Sequence, residues 1–244
     1  MKTLKLLTVT MLLLVAMAAG AKTISNVTIG DLVYSLDTDT KDATVTGYDW
    51  RNAPTDLVIP NTIDWGGEYS VTTIEEEAFR GCYSLTSVDI PNSVTTIRSG
   101  AFSYCYSLTS VDIPNSVTTI EDYAFYDCTS LASIDIPNSV TTIGEQTFAY
   151  CESLASVNIG ESVTTIGKRA FYSCTSLASI DIPNSVTTIG EAAFDGCRSL
   201  ASIDIPNSVT TIGERAFASC YSLASVNIPN SVTTIGEGAF SYCI

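Results

Sequence analysis

The sequence predicts a solenoid of short parallel strands stacked coil upon coil. Short helical turns or loops run along its other side, and a β-rich cap closes its N-terminal end. Three observations carry this. The cysteines Cys82, Cys105, Cys128, Cys151, Cys174, Cys197, Cys220 and Cys243 recur with every gap equal to 23 residues. All eight phenylalanines, from Phe79 to Phe240, keep that step three residues before each cysteine. Leucines from Leu85 to Leu223 keep it too. A period of this kind marks a tandem repeat, whose units lack a core of their own and must stack to make one.

A single unit, Leu85–Ser107, justifies each element in turn. Leu85, Val88 and Ile90 have the spacing that turns one face of a short strand inward. Pro91 lacks a backbone donor and ends that strand, and Asn92-Ser93 supply turn chemistry. Val94 and Ile97 place two apolar residues on the return side. Ala101, Phe102 and Cys105 lie at i, i+1 and i+4, a spacing that fits one or two helical turns facing the core.

These residues resemble the leucine-rich repeats of the BspA-like type, with the pattern L-x-x-V/I-x-I-P, V-x-x-I, A-F-x-x-C. The resemblance spans about residues 54–244 and implies a leucine-rich-repeat solenoid. Departures are few: Gly160-Glu161 stand where other copies have Pro-Asn, and Thr147 replaces the Ala before Phe148. The first coil, 54–84, keeps the frame Ile59-Pro60, Val71, Ile74, Ala78-Phe79, Cys82 but is longer, its excess lying around Trp65-Gly66-Gly67. The last coil is incomplete at Ile244.

Residues 22–53 fall outside the frame. Ile24–Ile29, Leu32–Leu36 and Ala43–Tyr48 read as short strands separated by turn residues, and a solenoid end needs cover, so this segment is expected to be the cap. Residues 1–21 read as a secretory signal peptide: Lys2 and Lys5, the apolar run Leu6–Ala19, then Ala19-Gly20-Ala21, with cleavage near Ala21. The expected mature chain has no membrane span and is secreted or held at the cell surface.

Composition narrows function. Acids outnumber bases 26 to 11, the reverse of what a phosphate backbone recruits, so nucleic acid is not an expected partner. The chain has no histidine, which removes Ser-His-Asp and Cys-His catalysis and His-ligated zinc. One thiol per coil lacks the clustered spacing of a zinc site, and a thiol in an apolar column acts as a small hydrophobe. No acid pair, phosphate loop or nucleophile–base set is evident. The sequence therefore predicts neither an enzyme nor a cofactor or metal.

Candidate binding residues lie at exposed positions of the repeat. Between the inward Val88 and Ile90, strand alternation turns one residue per coil outward, giving the ladder Asp89, Asp112, Asp135, Asn158, Asp181, Asp204 and Asn227. Carboxylates one strand apart repel, and no Lys or Arg on these strands offsets them. The strip reads as a cation-attracting face for a basic protein surface or as a solvated ladder that blunts aggregation. Residues after phenylalanine and after cysteine vary and are rich in tyrosine: Tyr104, Tyr106, Tyr126, Tyr150, Tyr172 and Tyr221. Tyrosine suits an interface, and drift at a tolerant loop also gives variation. The Thr95-Thr96 pair recurs in all eight copies, and strand alternation assigns one threonine of each pair a packing or turn role. The resemblance implies bacterial surface or secreted proteins that adhere to host proteins and other cells. The expectation is thus an exported module that binds an extracellular or host protein, basic where it meets the strip. The alternative is a structural spacer or a piece of a larger surface protein without a ligand of its own.

Overall fold

The computed structural model describes residues 22–49 and 53–243. The signal-peptide expectation for 1–21 and the final residue, Ile244, lie outside them. The described residues begin with an antiparallel meander of three strands, β1 (Thr23–Ile29), β2 (Leu32–Asp37) and β3 (Asp42–Tyr48). Three further strands follow: β4 (Asp56–Val58), β5 (Thr62–Asp64) and β6 (Glu68–Ile74). β3 pairs in parallel with β6, and this bond joins the meander to the solenoid. The long first coil is explained by β5, which folds back antiparallel on β6.

From there each coil contributes two strand rows. The first begins at β4, which pairs in parallel with Ser87–Asp89, itself paired with Ser110–Asp112. The same register joins Ser133–Ile136 to Ser156–Ile159 and Ser202–Asp204 to Ser225–Asn227. The second row is the Thr-Ile pair, in register from Thr73-Ile74 through Thr96-Ile97 to Thr119-Ile120, and again from Thr142-Ile143 to Thr234-Ile235. Within it Val94 and Ile97 are buried while Thr95 is exposed and Thr96 half-buried. The first threonine of the pair has a backbone role: Thr118 Oγ1 donates to Thr95 O at 3.4 Å, and Thr187 Oγ1 to Thr164 O at 3.2 Å.

The third side is made of loops; no helix occurs among the described residues. The A-F-x-x-C segment misses a helix because two residues per coil adopt positive φ. One lies two positions before phenylalanine (Tyr123, 60°; Gln146, 52°; Ala192, 51°), the other two positions after it (Tyr104, 62°; Ser173, 57°; Ser219, 56°). Each reversal breaks the right-handed spiral and aims N–H groups along the solenoid axis. Phe102 N donates to Ala124 O and Tyr104 N to Tyr126 O, both at 2.8 Å in the next coil. The loops thus form a third hydrogen-bond ladder, which satisfies backbone groups that a strand or helix would otherwise pair.

The core is one continuous stack. Phe79 to Phe217 are fully buried, with successive ring centroids 5.2–5.5 Å apart and planes within 10° of parallel. Burying each ring contributes about 2–3 kcal/mol by area removed from water. At the N-terminal end Tyr48 of β3 stacks on Phe79 at 6.2 Å and continues the column. Cys82 has no earlier coil of this type beneath it, and burial raises its thiol above the ordinary value, with Tyr48 as its neighbour on the cap side.

Candidate functional site

The aspartate strip sits where alternation placed it. Asp89, Asp112, Asp135, Asn158, Asp181, Asp204 and Asn227 are all exposed. Asp89 faces Asp112 across adjacent strands, Asp135 faces Asn158, and Asp204 faces Asn227. In-register parallel strands hold such carboxylates about 4.8 Å apart. The two asparagines interrupt the run, and Val58 takes the equivalent position on β4. Asp56, two residues earlier, accepts from Ser87 Oγ at 2.7 Å and Thr86 Oγ1 at 3.1 Å, and those hydroxyls hold its carboxyl below the usual range. Where Gly160-Glu161 replace Pro-Asn, a shallow depression of about 400 Å³ opens in the strip, lined by Asp135, Asn158, Asn115, Asn138 and Glu161. Asn138 Oδ1 accepts the Glu161 backbone N–H at 2.7 Å.

The tyrosines converge more closely than their spacing suggests. Tyr104, Tyr126, Tyr150 and Tyr172 form one herringbone ribbon along the loop side. Their successive centroids are 5.3, 5.5 and 5.3 Å apart, at angles of 68–72°. Tyr104 and Tyr150 stand two residues after phenylalanine, Tyr126 and Tyr172 one after it. Alternation between neighbouring columns makes the zigzag. Tyr106 meets Tyr104 edge-on at 6.2 Å and stacks on Tyr83 at 5.3 Å. Tyr221 is not part of this group; it is exposed, with the Arg198 guanidinium 5.7 Å from its ring. Burial, reinforced by neighbouring tyrosines and the Asp127 carboxylate, pushes the Tyr126 hydroxyl up to about 12.

Several residues of this side were not singled out in the sequence. Tyr123 packs on Tyr126 at 5.9 Å, and Arg80 lies 5.3 Å over the Tyr104 ring. Gln146 Nε2 donates to the Tyr123 hydroxyl at 2.9 Å. The signal was available in the column two residues before phenylalanine, Glu77, Gly100, Tyr123, Gln146, Arg169, Ala192, Arg215 and Gly238, which varies as much as the columns after it. All six bases between residues 54 and 243 fall on or beside these loops, as Arg80, Arg98, Lys168, Arg169, Arg198 and Arg215. Most are paired with acids, among them Arg98 with Glu75 at 2.8 Å, Lys168 with Glu191 at 3.0 Å and Arg215 with the buried Asp195 at 3.0 Å. Among the charged residues of the strand strip there are acids and no base, whereas the loop side is aromatic and carries all six bases among a larger number of acids.

A stack of in-register coils with exposed, variable loops defines a leucine-rich-repeat protein. This chain belongs to the BspA-type leucine-rich repeat family, whose model matches residues 67–177 and 118–244 in six copies. The family consists of non-enzymatic repeat proteins. The chain is similar to the leucine-rich repeat protein of T. pallidum at 32% identity, over 82% of this chain and 91% of that one, with a TM-score of 0.72. It is similar to a leucine-rich cell surface protein of Faecalibacterium prausnitzii A2-165 at 31% identity, over 89% and 74%, with a TM-score of 0.64. A leucine-rich repeat protein of Eubacterium ventriosum shares 26% identity over 78% and 59%, with a TM-score of 0.62. No curated protein matches the chain. Its relatives are bacterial surface leucine-rich repeat proteins, a class commonly engaged in binding.

Proposed function

We propose that the protein is exported by an N-terminal signal peptide and works as an adhesion module that binds an extracellular or host protein. The observation that carries this reading is the division of its surface: an Asp-rich strip, broken by two asparagines, on the strand side and a tyrosine ribbon on the loop side. Lys and Arg of a basic partner would meet Asp89, Asp112, Asp135, Asp181 and Asp204, with Asn158 and Asn227 in the same line. Tyr104, Tyr106, Tyr126, Tyr150 and Tyr172 would add aromatic contact, and Tyr221 a separate one. Complementary charge steers such encounters and sets their salt dependence. Residues 22–53 act as the cap of the solenoid, a role supported by the β3–β6 pairing and by Tyr48 on Phe79.

The test is retention of extracellular proteins on the immobilised protein at low and high salt. The comparison is a variant with Asp112, Asp135, Asp181 and Asp204 changed to Asn. The expected result is a retained protein whose affinity falls with salt in the wild type, and a weaker, less salt-sensitive interaction in the variant. Unchanged affinity and salt slope would clear the strip of this role. If nothing is retained, the protein is a spacer without a ligand of its own.

A further inference from the structure

The tyrosine ribbon carries a second feature, a notch built by a local change in residue size. In the left-handed column before phenylalanine, Glu77, Gly100, Tyr123 and Gln146 succeed one another coil by coil. Gly100 has φ 61° and no side chain, and Ser103 of the same coil is folded inward, its Oγ donating to Gly100 O at 2.9 Å. One coil therefore recedes between two that project. The result is a notch of about 230 Å³, floored by Gly100 and Ser103, with Glu77 and Arg80 on one wall and Tyr123 and Tyr126 on the other. Tyr104 closes one end. A Cβ at Gly100 would stand 3.4 Å from Glu77 Cγ and Ser103 Oγ, so the space exists because the residue is glycine.

The chemistry of the walls selects an occupant. Glu77 and Arg80 are paired with each other, so the notch presents an acceptor and a donor side by side with no net charge. Among the described residues no other charged side chain lines the notch. A lysine or arginine side chain would find its carboxylate already neutralised, and an anion would find its guanidinium occupied; either loses the pairing that would offset its desolvation. The aromatic walls instead suit the C–H face of a neutral ring, and Glu77, Arg80 and Gln146 suit hydroxyls, which both donate and accept. The volume lies below the ~300–1,000 Å³ of sites for drug-sized ligands, so it takes a single ring. From the notch the ribbon Tyr126, Tyr150, Tyr172 continues at a step of 5.3–5.5 Å, along which further rings of a chain could lie.

We propose that the Gly100 notch is a binding site for a pyranose residue of a neutral glycan. The proposal goes beyond the protein-binding reading and is independent of the aspartate strip. It is tested by saturation-transfer NMR on the purified protein with cellotetraose, maltotetraose, chitotetraose and N-acetyllactosamine, with an arginine-rich peptide as the charged competitor. The expected result is binding of at least one saccharide, unchanged between low and high salt. Binding should weaken about tenfold or more in Tyr123→Ala. It should weaken likewise in Gly100→Asn, which fills the notch with a residue that tolerates left-handed backbone. Tyr221→Ala should bind as the wild type does, and circular dichroism with thermal melts establishes that each variant is folded. Three results overturn the proposal: no saturation transfer from any saccharide, full binding by folded Gly100→Asn, or displacement of the saccharide by the peptide at stoichiometric concentration. Substituting the four strip aspartates by Asn leaves saccharide binding intact under this proposal, so its failure and that of the protein-binding reading are separable.

Discussion

The Sγ of Cys128 donates to the carbonyl oxygen of Phe102, 26 residues earlier, at 3.2 Å. The same oxygen accepts the Cys105 backbone N–H at 3.3 Å, so both of its lone pairs are engaged. The relation repeats from Cys105 onto Phe79 through to Cys243 onto Phe217, each thiol fastening its coil to the one before. The cysteines are free thiols, buried except for the half-buried Cys243.

Such thiols resist ionisation. Burial pushes Cys105, Cys151 and Cys220 up to about 12 from an ordinary 9.0, and raises Cys128, Cys174 and Cys197 well above it. In the unfolded chain these groups ionise near pH 9 while the folded chain keeps its protons, so the unfolded state binds fewer. Stability is therefore complete below about pH 9 and declines between pH 9 and 12. Denaturant midpoints measured from pH 7 to 11 should fall only above that threshold. A thiol reagent at neutral pH should label Cys243 first and the others only on unfolding.

Changing Cys128 to Ala removes the thiol and leaves a cavity in the column beside the Phe102 and Phe125 rings. A loss of about 1–2 kcal/mol in unfolding free energy is expected.

Ser219 sits at φ 56° in the column that Gly81 and Gly196 occupy elsewhere. A left-handed residue with a Cβ costs about 1 kcal/mol that glycine avoids, against a smaller entropic penalty in the unfolded chain. Ser219→Gly should therefore stabilise the protein by about 0.5 kcal/mol, measured by urea unfolding.

Gly190 is required for a different reason. A Cβ there would lie 2.7 Å from Gly167 C and 2.8 Å from Lys168 N, both backbone atoms of the previous coil. Gly190→Ala should force the coils apart and cost about 1–3 kcal/mol, with a lower melting temperature.

Asp112 stands between the strands of Asp89 and Asp135 on the exposed strip. Asp112→Asn should raise the melting temperature at low ionic strength. The difference from wild type should vanish near 1 M salt, where charges are screened beyond about 3 Å.

Much of this architecture is legible in the repeat. A 23-residue period with Leu85, Val88, Ile90, Val94, Ile97, Phe102 and Cys105 leaves only stacking as a way to bury apolar residues. The aspartate ladder follows directly, because parallel strands in register align Asp89 with Asp112 whatever the rest of the coil does. Identical units can bury their apolar residues only by meeting in the same register, and that constraint is written in the spacing.

The loop side is different in kind. Whether Ala101, Phe102 and Cys105 sit on a helix or a loop depends on hydrogen bonds to the next coil, such as Phe102 N to Ala124 O. Those bonds compensate two positive-φ residues per coil that no local preference of Tyr104 or Tyr123 would select. The same reversals bring columns one and two residues after phenylalanine side by side, which turns scattered tyrosines into one ribbon. They also set Gly100 between Glu77 and Tyr123. Composition and period specify the stack, since burial of a repeated apolar pattern has one solution. The tyrosine ribbon and the notch arise from backbone conformations that only contact between coils makes affordable.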